Sequence, residues 1–188
     1  MALNFSGMLN TSVTVLTKPS TASFEAAKST VNTTMTLIGL VVAGAIAGAI
    51  SGFGTNGAGG AVTGLVGGAI GGVIGFYIEM AIVFVVAKIF GGTGGLMDQA
   101  NLMATFFVPL IVVSAVLGLI PGVGAILGLV VASYELFLIG LCLQVAHSLP
   151  SNKAWLAVAV LVVLAVVFVV FLTAAVVALF AGAGLLGR

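Results

Sequence analysis

Charge is what this chain has least of. Nine of its 188 residues are formally charged, five basic and four acidic, or 5%. Soluble domains carry about 25%. A water-soluble fold of this size has too few charges here to cover its surface, so a soluble domain is excluded. The net charge of +1 leaves no basic field for nucleic acid, and no nucleic-acid partner is expected. The single cysteine, Cys142, excludes an intrachain disulfide. One His and one Cys, with no cluster of ligating residues, argue against a metal centre. No catalytic constellation is visible either, so the chain is expected not to be an enzyme. No cofactor is expected, bound lipid being the one ligand the composition leaves open. The start of the chain lacks a positive lead followed by a compact apolar centre, so no secretory signal is read there and the N-terminus is expected on the cytoplasmic side.

What is abundant is apolar sequence, at 62% of residues. Five segments stand out, near Thr34–Ser51, Ala61–Phe90, Asn101–Ile120, Ala125–Ala146 and Ala154–Ala181. Crossing the hydrocarbon core takes about 20 apolar residues, so each is read as a span, the second and fifth long enough to tilt or protrude. The fold class expected is all-α: a polytopic membrane helical bundle with five transmembrane helices. Residues 1–33 form a cytoplasmic or interfacial N-terminal segment and residues 34–188 the membrane domain. Within the first part, Phe5, Met8, Leu9, Val13 and Leu16 share one broad face at ~100° per residue, which suits a helix lying on the membrane. A second short helix is expected after Pro19. Pro109 falls inside the third span and is expected to kink it. Lys18, Lys28, Lys88 and Lys153 all fall on one side of a five-span arrangement, while the loops near 52–60 and 121–124 have no lysine or arginine. That is the positive-inside pattern, and it sets the N-terminus in the cytoplasm.

Thirteen of the 27 glycines lie between Gly44 and Gly75. Gly44, Gly48 and Gly52 are spaced by four, as are Gly60, Gly64, Gly68 and Gly72, and again Gly67, Gly71 and Gly75. On a helix each row is a groove without side chains, where another backbone can approach closely. Three uses are open: a tight hairpin between the first two spans, a face for self-association or a partner subunit, or a glycine-zipper hairpin that oligomerises into a pore.

Glu79 and Glu135 are the acids inside apolar runs, and an ionisable residue in a membrane needs a reason. Counted at ~1.5 Å per residue from Lys88 and His147, both are expected near mid-membrane. Each has a tyrosine close in sequence, Tyr77 and Tyr134. Apart from Lys88, which ends the second span, no basic residue lies in any span to neutralise them. One or both are therefore expected to be protonated, because burial and a like charge disfavour the carboxylate. One use is structural, a neutral carboxyl hydrogen-bonded to tyrosine or backbone; the other is a proton or cation site between spans two and four. His147, at the edge of span four, is expected to be a solvated loop residue rather than a ligand to a pigment.

Leu16-Thr17-Lys18-Pro19 followed by Phe24-Glu25, the Gly91-Gly92-Thr93-Gly94 loop, Pro109, Ile120-Pro121, Tyr134, Gly140, and Ala146-His147-Ser148-Leu149 before Lys153-Ala154 occur in an order and spacing that resembles the Yip family of five-span membrane proteins, in its short bacterial form. The resemblance implies a multi-pass helical domain with a cytoplasmic N-terminus. The long cytoplasmic domain through which eukaryotic members act in trafficking is not expected here, so that role is not expected to carry over. The function expected is a non-enzymatic scaffold or accessory subunit in a bacterial cytoplasmic membrane, in contact with lipid. It would pack against other integral membrane subunits, those of a respiratory or photosynthetic complex for example. The alternative is a small proton- or cation-coupled transporter or channel using Glu79 and Glu135.

Overall fold

The computed structural model describes residues 5–186. Among them the elements are all helices: α1 (Phe5–Thr17), α2 (Thr21–Ala27), α3 (Thr33–Ile89), α4 (Leu96–Gly118), α5 (Gly124–Ala146) and α6 (Ser151–Leu186). Four of these, α3 to α6, are long and apolar enough to cross a membrane. α3 is not one straight rod. At Asn56 (φ −133°, ψ 19°) and Gly57 (φ 62°, ψ −146°) its backbone leaves helical geometry and the chain doubles back. The Gly57 conformation is open to glycine and strained for residues with a Cβ. The loop expected over 52–60 is thus reduced to a two-residue break. The arms on either side, 33–55 and 58–89, run to roughly 34 and 48 Å at ~1.5 Å per residue, against a hydrocarbon core of about 30 Å. The molecule is a polytopic helical bundle of the class its composition calls for, built from five apolar rods.

Local chemistry sets the helix starts and stops. Ser20 caps α2, its hydroxyl accepting from the Ser23 amide at 3.1 Å, so Pro19 sits just outside the helix. Asn32 caps α3 by accepting from Met35 N–H at 3.0 Å. Between α4 and α5 the turn at Pro121-Gly122 uses a positive φ of 77° at Gly122. α4 runs on as helix through Pro109.

The tightest packing lies where the second arm of α3, α4 and α5 meet. Phe76, Met80, Leu102, Met103, Phe106, Leu138 and Leu143 are buried there. α2 inserts Phe24 into the same cluster, its ring edge-on to Phe106 at 5.9 Å. Lipid tails are as apolar as leucine, so this cluster is held by close van der Waals fit rather than by escape from solvent.

α1 rests on the bundle by one part of its surface. Its buried face is Ser12 and Val15, while Leu9 and Val13 point outward. The Tyr134 hydroxyl donates to the Leu16 carbonyl at 2.5 Å and ties the end of α1 to α5. α1 therefore packs on the bundle through Ser12 and Val15, with Met8 and Leu16 half-buried beside them and Leu9 and Val13 left exposed. α6 is the opposite case. Ala154, Ala157, Val158 and Leu161 are buried, and Trp155 lies over Gly140, where an added Cβ would stand 2.6 Å from the indole. Beyond Leu161, residues 162–179 are exposed except for half-buried Ala175.

Candidate functional site: a membrane groove beside a glycine hairpin

The two glycine rows of the second arm meet different surroundings. Gly44, Gly48 and Gly52 face Gly68, Gly64 and Gly60 in turn, so the arms are antiparallel and touch backbone to backbone. A Cβ on Gly48 would meet the Gly64 carbonyl oxygen and lie 2.7 Å from the Gly68 Cα; one on Gly72 would lie 3.1 Å from the Gly44 Cα. The hairpin use of the ladder accounts for these seven glycines. Gly67, Gly71 and Gly75 lie on another face, where an added Cβ would meet no atom within 4 Å.

That open row ends in a groove. Between the second arm of α3, α5 and the exposed part of α6 lies a space of about 820 Å³. Gly75, Glu79 and Val83 form one wall, Leu136 and Ile139 a second, and Phe168 stands among the α6 residues of the third. Glu79 is the only polar side chain lining it. Glu135 lies near enough to feel the charge of Glu79, and its Oε1 is shielded and has no hydrogen-bond partner. Among the described residues neither carboxyl is bonded to a tyrosine. Tyr134 serves α1, and the Tyr77 ring meets Phe76 edge-on at 5.4 Å. The structure brings the two acids to one side of the bundle and separates them from the hydrogen-bond partners their neighbours in sequence suggest.

At the end of the bundle that holds the 91–95 loop, a polar clasp closes around His147. Gln99 Nε2 donates to the Met80 carbonyl at 2.9 Å, which turns Gln99 Oε1 toward His147 Nε2 at 2.7 Å. An amide oxygen only accepts, so Nε2 carries the imidazole proton and Nδ1 is bare. Nδ1 is buried without a partner. Burial, and after it the Lys88 cation, hold His147 down from 6.5 to about 4, with Asp98 opposing, so the ring is neutral. The His147 carbonyl accepts from the Thr93 amide at 3.1 Å and its hydroxyl at 3.2 Å. Lys88 Nζ donates to the Gly94 carbonyl at 2.8 Å. Gly91 needs its positive φ of 92°. A Cβ on Gly92 would stand 2.8 Å from His147 Nδ1, and one on Gly94 would strike the Ala146 carbonyl. The solvated histidine expected from the sequence is instead fully buried, because the loop glycines let backbone close over it.

The 91–94 loop and His147 of this clasp, with Tyr134, Gly140 and Pro121, are among the residues that carry the sequence resemblance, and the comparison decides the matter: the family model for the Yip1 domain matches residues 13–185. The chain belongs to the Yip1 family. No curated protein and no solved structure matches it.

For a Yip1-domain chain the two sites differ in what they can do. In the clasp, Gln99, Thr93 and Lys88 are satisfied and the imidazole is enclosed, so it acts as a joint between α3, α4 and α5. Gln99 is the residue the sequence reading missed. Its signal was its place on the stripe Gln99, Met103, Phe106, Leu110, where an amide falls on an otherwise apolar, buried helix face. The groove is the region of the domain with space, an open backbone row and an unpaired acid together. Among the described residues no group of three or more His, Cys, Asp or Glu side chains is placed to hold a metal.

Proposed function

We propose that this Yip1-domain protein is a non-enzymatic scaffold or accessory subunit of a bacterial cytoplasmic membrane, with five spans and its N-terminus in the cytoplasm. It binds other integral membrane subunits by helix packing, with lipid filling the remaining surface. The observation that carries the reading is the open Gly67, Gly71, Gly75 row beside an α6 that is exposed over most of its length. A backbone groove facing lipid gains nothing for the fold, whereas it lets another helix come close. The orientation is supported by the lysines: Lys88 reaches Gly94, and Lys153 Nζ would lie 3.7 Å from a Cβ on Gly91, so both gather at the 91–95 loop.

The groove speaks against the transporter reading. An ion path needs polar groups along its length to replace hydration, and Glu79 is the one polar side chain lining this space. The test is purification in a mild detergent followed by native mass spectrometry. A membrane protein partner retained in fixed proportion is the expected result. Recovery of the chain with lipid alone, together with proton or cation flux in liposomes that Glu79→Gln removes, would replace this reading with transport.

A further inference from the structure

Resting on the reading of the chain as an accessory subunit, we infer that the groove between the second arm of α3, α5 and α6 receives a transmembrane helix of another protein bearing a lysine or arginine level with Glu79. Three features set the occupant. The first is shape. Gly67, Gly71, Gly75, Glu79 and Val83 are spaced by four and lie on one row of the arm, the last three lining the groove. From Gly67 to Glu79 this row spans roughly 18 Å at ~1.5 Å per residue, more than three helical turns. A fatty-acyl chain does not require bare backbone; a second helix does, because its own backbone must approach.

The second feature is charge. Glu79 lines the groove and Glu135 lies within its electrostatic reach with one carboxyl oxygen shielded and unpaired. Among the described residues no lysine lies in an apolar run at the level of the two acids. Lys28 is paired with Glu25 at 3.0 Å and Lys88 is bonded to the Gly94 carbonyl. Lys18 and Lys153 lie outside the apolar runs, as does Arg188. A carboxyl in an apolar membrane site is either neutral or paired, and the cation that would pair with these two in their ionised form comes from outside the chain.

The third feature separates a foreign helix from a second copy. Another copy of this chain would offer no cation from mid-span, Lys88 standing in the last turn of its helix, and would add two more acids to the same site. A lipid tail would fill the volume and leave both carboxyls unpaired.

The probe is a synthetic transmembrane helix of leucine and alanine with a single central lysine, and its twin with leucine at that position. The full chain is reconstituted in phosphatidylcholine vesicles. Trp155, the only tryptophan, serves as energy-transfer donor to an acceptor dye on the peptide. The lysine peptide is expected to associate about tenfold more tightly than its twin. Glu79→Gln should erase that preference, and Gly71→Leu should weaken both peptides. Glu135→Gln serves as the charge variant if Glu79→Gln fails to reconstitute. Equal binding of the two peptides to the wild type would overturn the basic partner and leave the accessory-subunit reading standing. A lysine preference that survives loss of both carboxyls would remove the groove as its source. Binding of neither peptide would overturn the groove as a helix-binding site.

Discussion

The two glycine rows of the second arm have the same spacing, composition and helix, and opposite surroundings. Gly60, Gly64 and Gly68 touch the backbone of the first arm, whereas Gly67, Gly71 and Gly75 touch nothing. Spacing by four makes a groove; it does not say which side of the helix the groove faces or what fills it. The difference follows from the break at Asn56–Gly57, which fixes how the arms fold onto each other. One row is consumed by the fold, and the other is left for use.

The comparison can be broken first at the packed row. Gly48→Leu would set an isobutyl group against the Gly64 carbonyl and the Gly68 Cα, neither of which can turn away. The hairpin should lose about 3 kcal/mol or more, the upper end of overpacking costs. Thermal unfolding in detergent checks this, and an unchanged midpoint would mean the arms do not pack as described.

A second close approach, in the clasp, should be nearly as sensitive. Gly94→Ala strikes the Ala146 carbonyl and should cost about 1–3 kcal/mol. Faster proteolysis of the 91–95 loop would report it. Next comes pH. Folded His147 is held at about 4, below its ordinary 6.5, so on acidification the unfolded chain takes up a proton before the folded one. The stability contributed by neutral His147 is full above pH 6.5 and is lost as pH falls toward about 4. His147→Gln, an uncharged substitute, should flatten that part of the stability–pH curve. The smallest of these effects is Tyr134→Phe, which removes one hydrogen bond to Leu16 and should cost about 1 kcal/mol, seen as earlier digestion of α1.

Much of the fold was legible because membrane solvent simplifies the problem. Apolar runs of span length, with polar and glycine-rich breaks between them, matched α5 (Gly124–Ala146) nearly at its observed limits and located α4 and α6, with the start of α4 at Leu96 and the end of α6 at Leu186 lying beyond the runs. The hairpin was one of three open uses of the ladder, and the glycine rows alone did not say which row would be filled. That depends on the direction of the turn at Gly57, a backbone property no side-chain pattern records. Glu79 and Glu135 were found because an acid in an apolar run is conspicuous. Their tyrosine partners were misjudged because neighbours in sequence on a helix point to different faces: the Tyr134 hydroxyl reaches α1 while Glu135 lies near Glu79. His147 was misjudged for a related reason. Its burial depends on Gly92, Gly94 and Gln99, all about 50 residues away along the chain, and no local pattern marks that closure.

The central claim is that the open row serves assembly rather than folding, and Gly71→Leu tests it most directly. An added side chain at Gly71 meets no atom, so stability should stay within about 0.5 kcal/mol of wild type, as for an exposed substitution. In native mass spectrometry the same variant should lose the partner that the wild type retains. A variant that unfolds, or one that keeps its partner in full proportion, would contradict the claim.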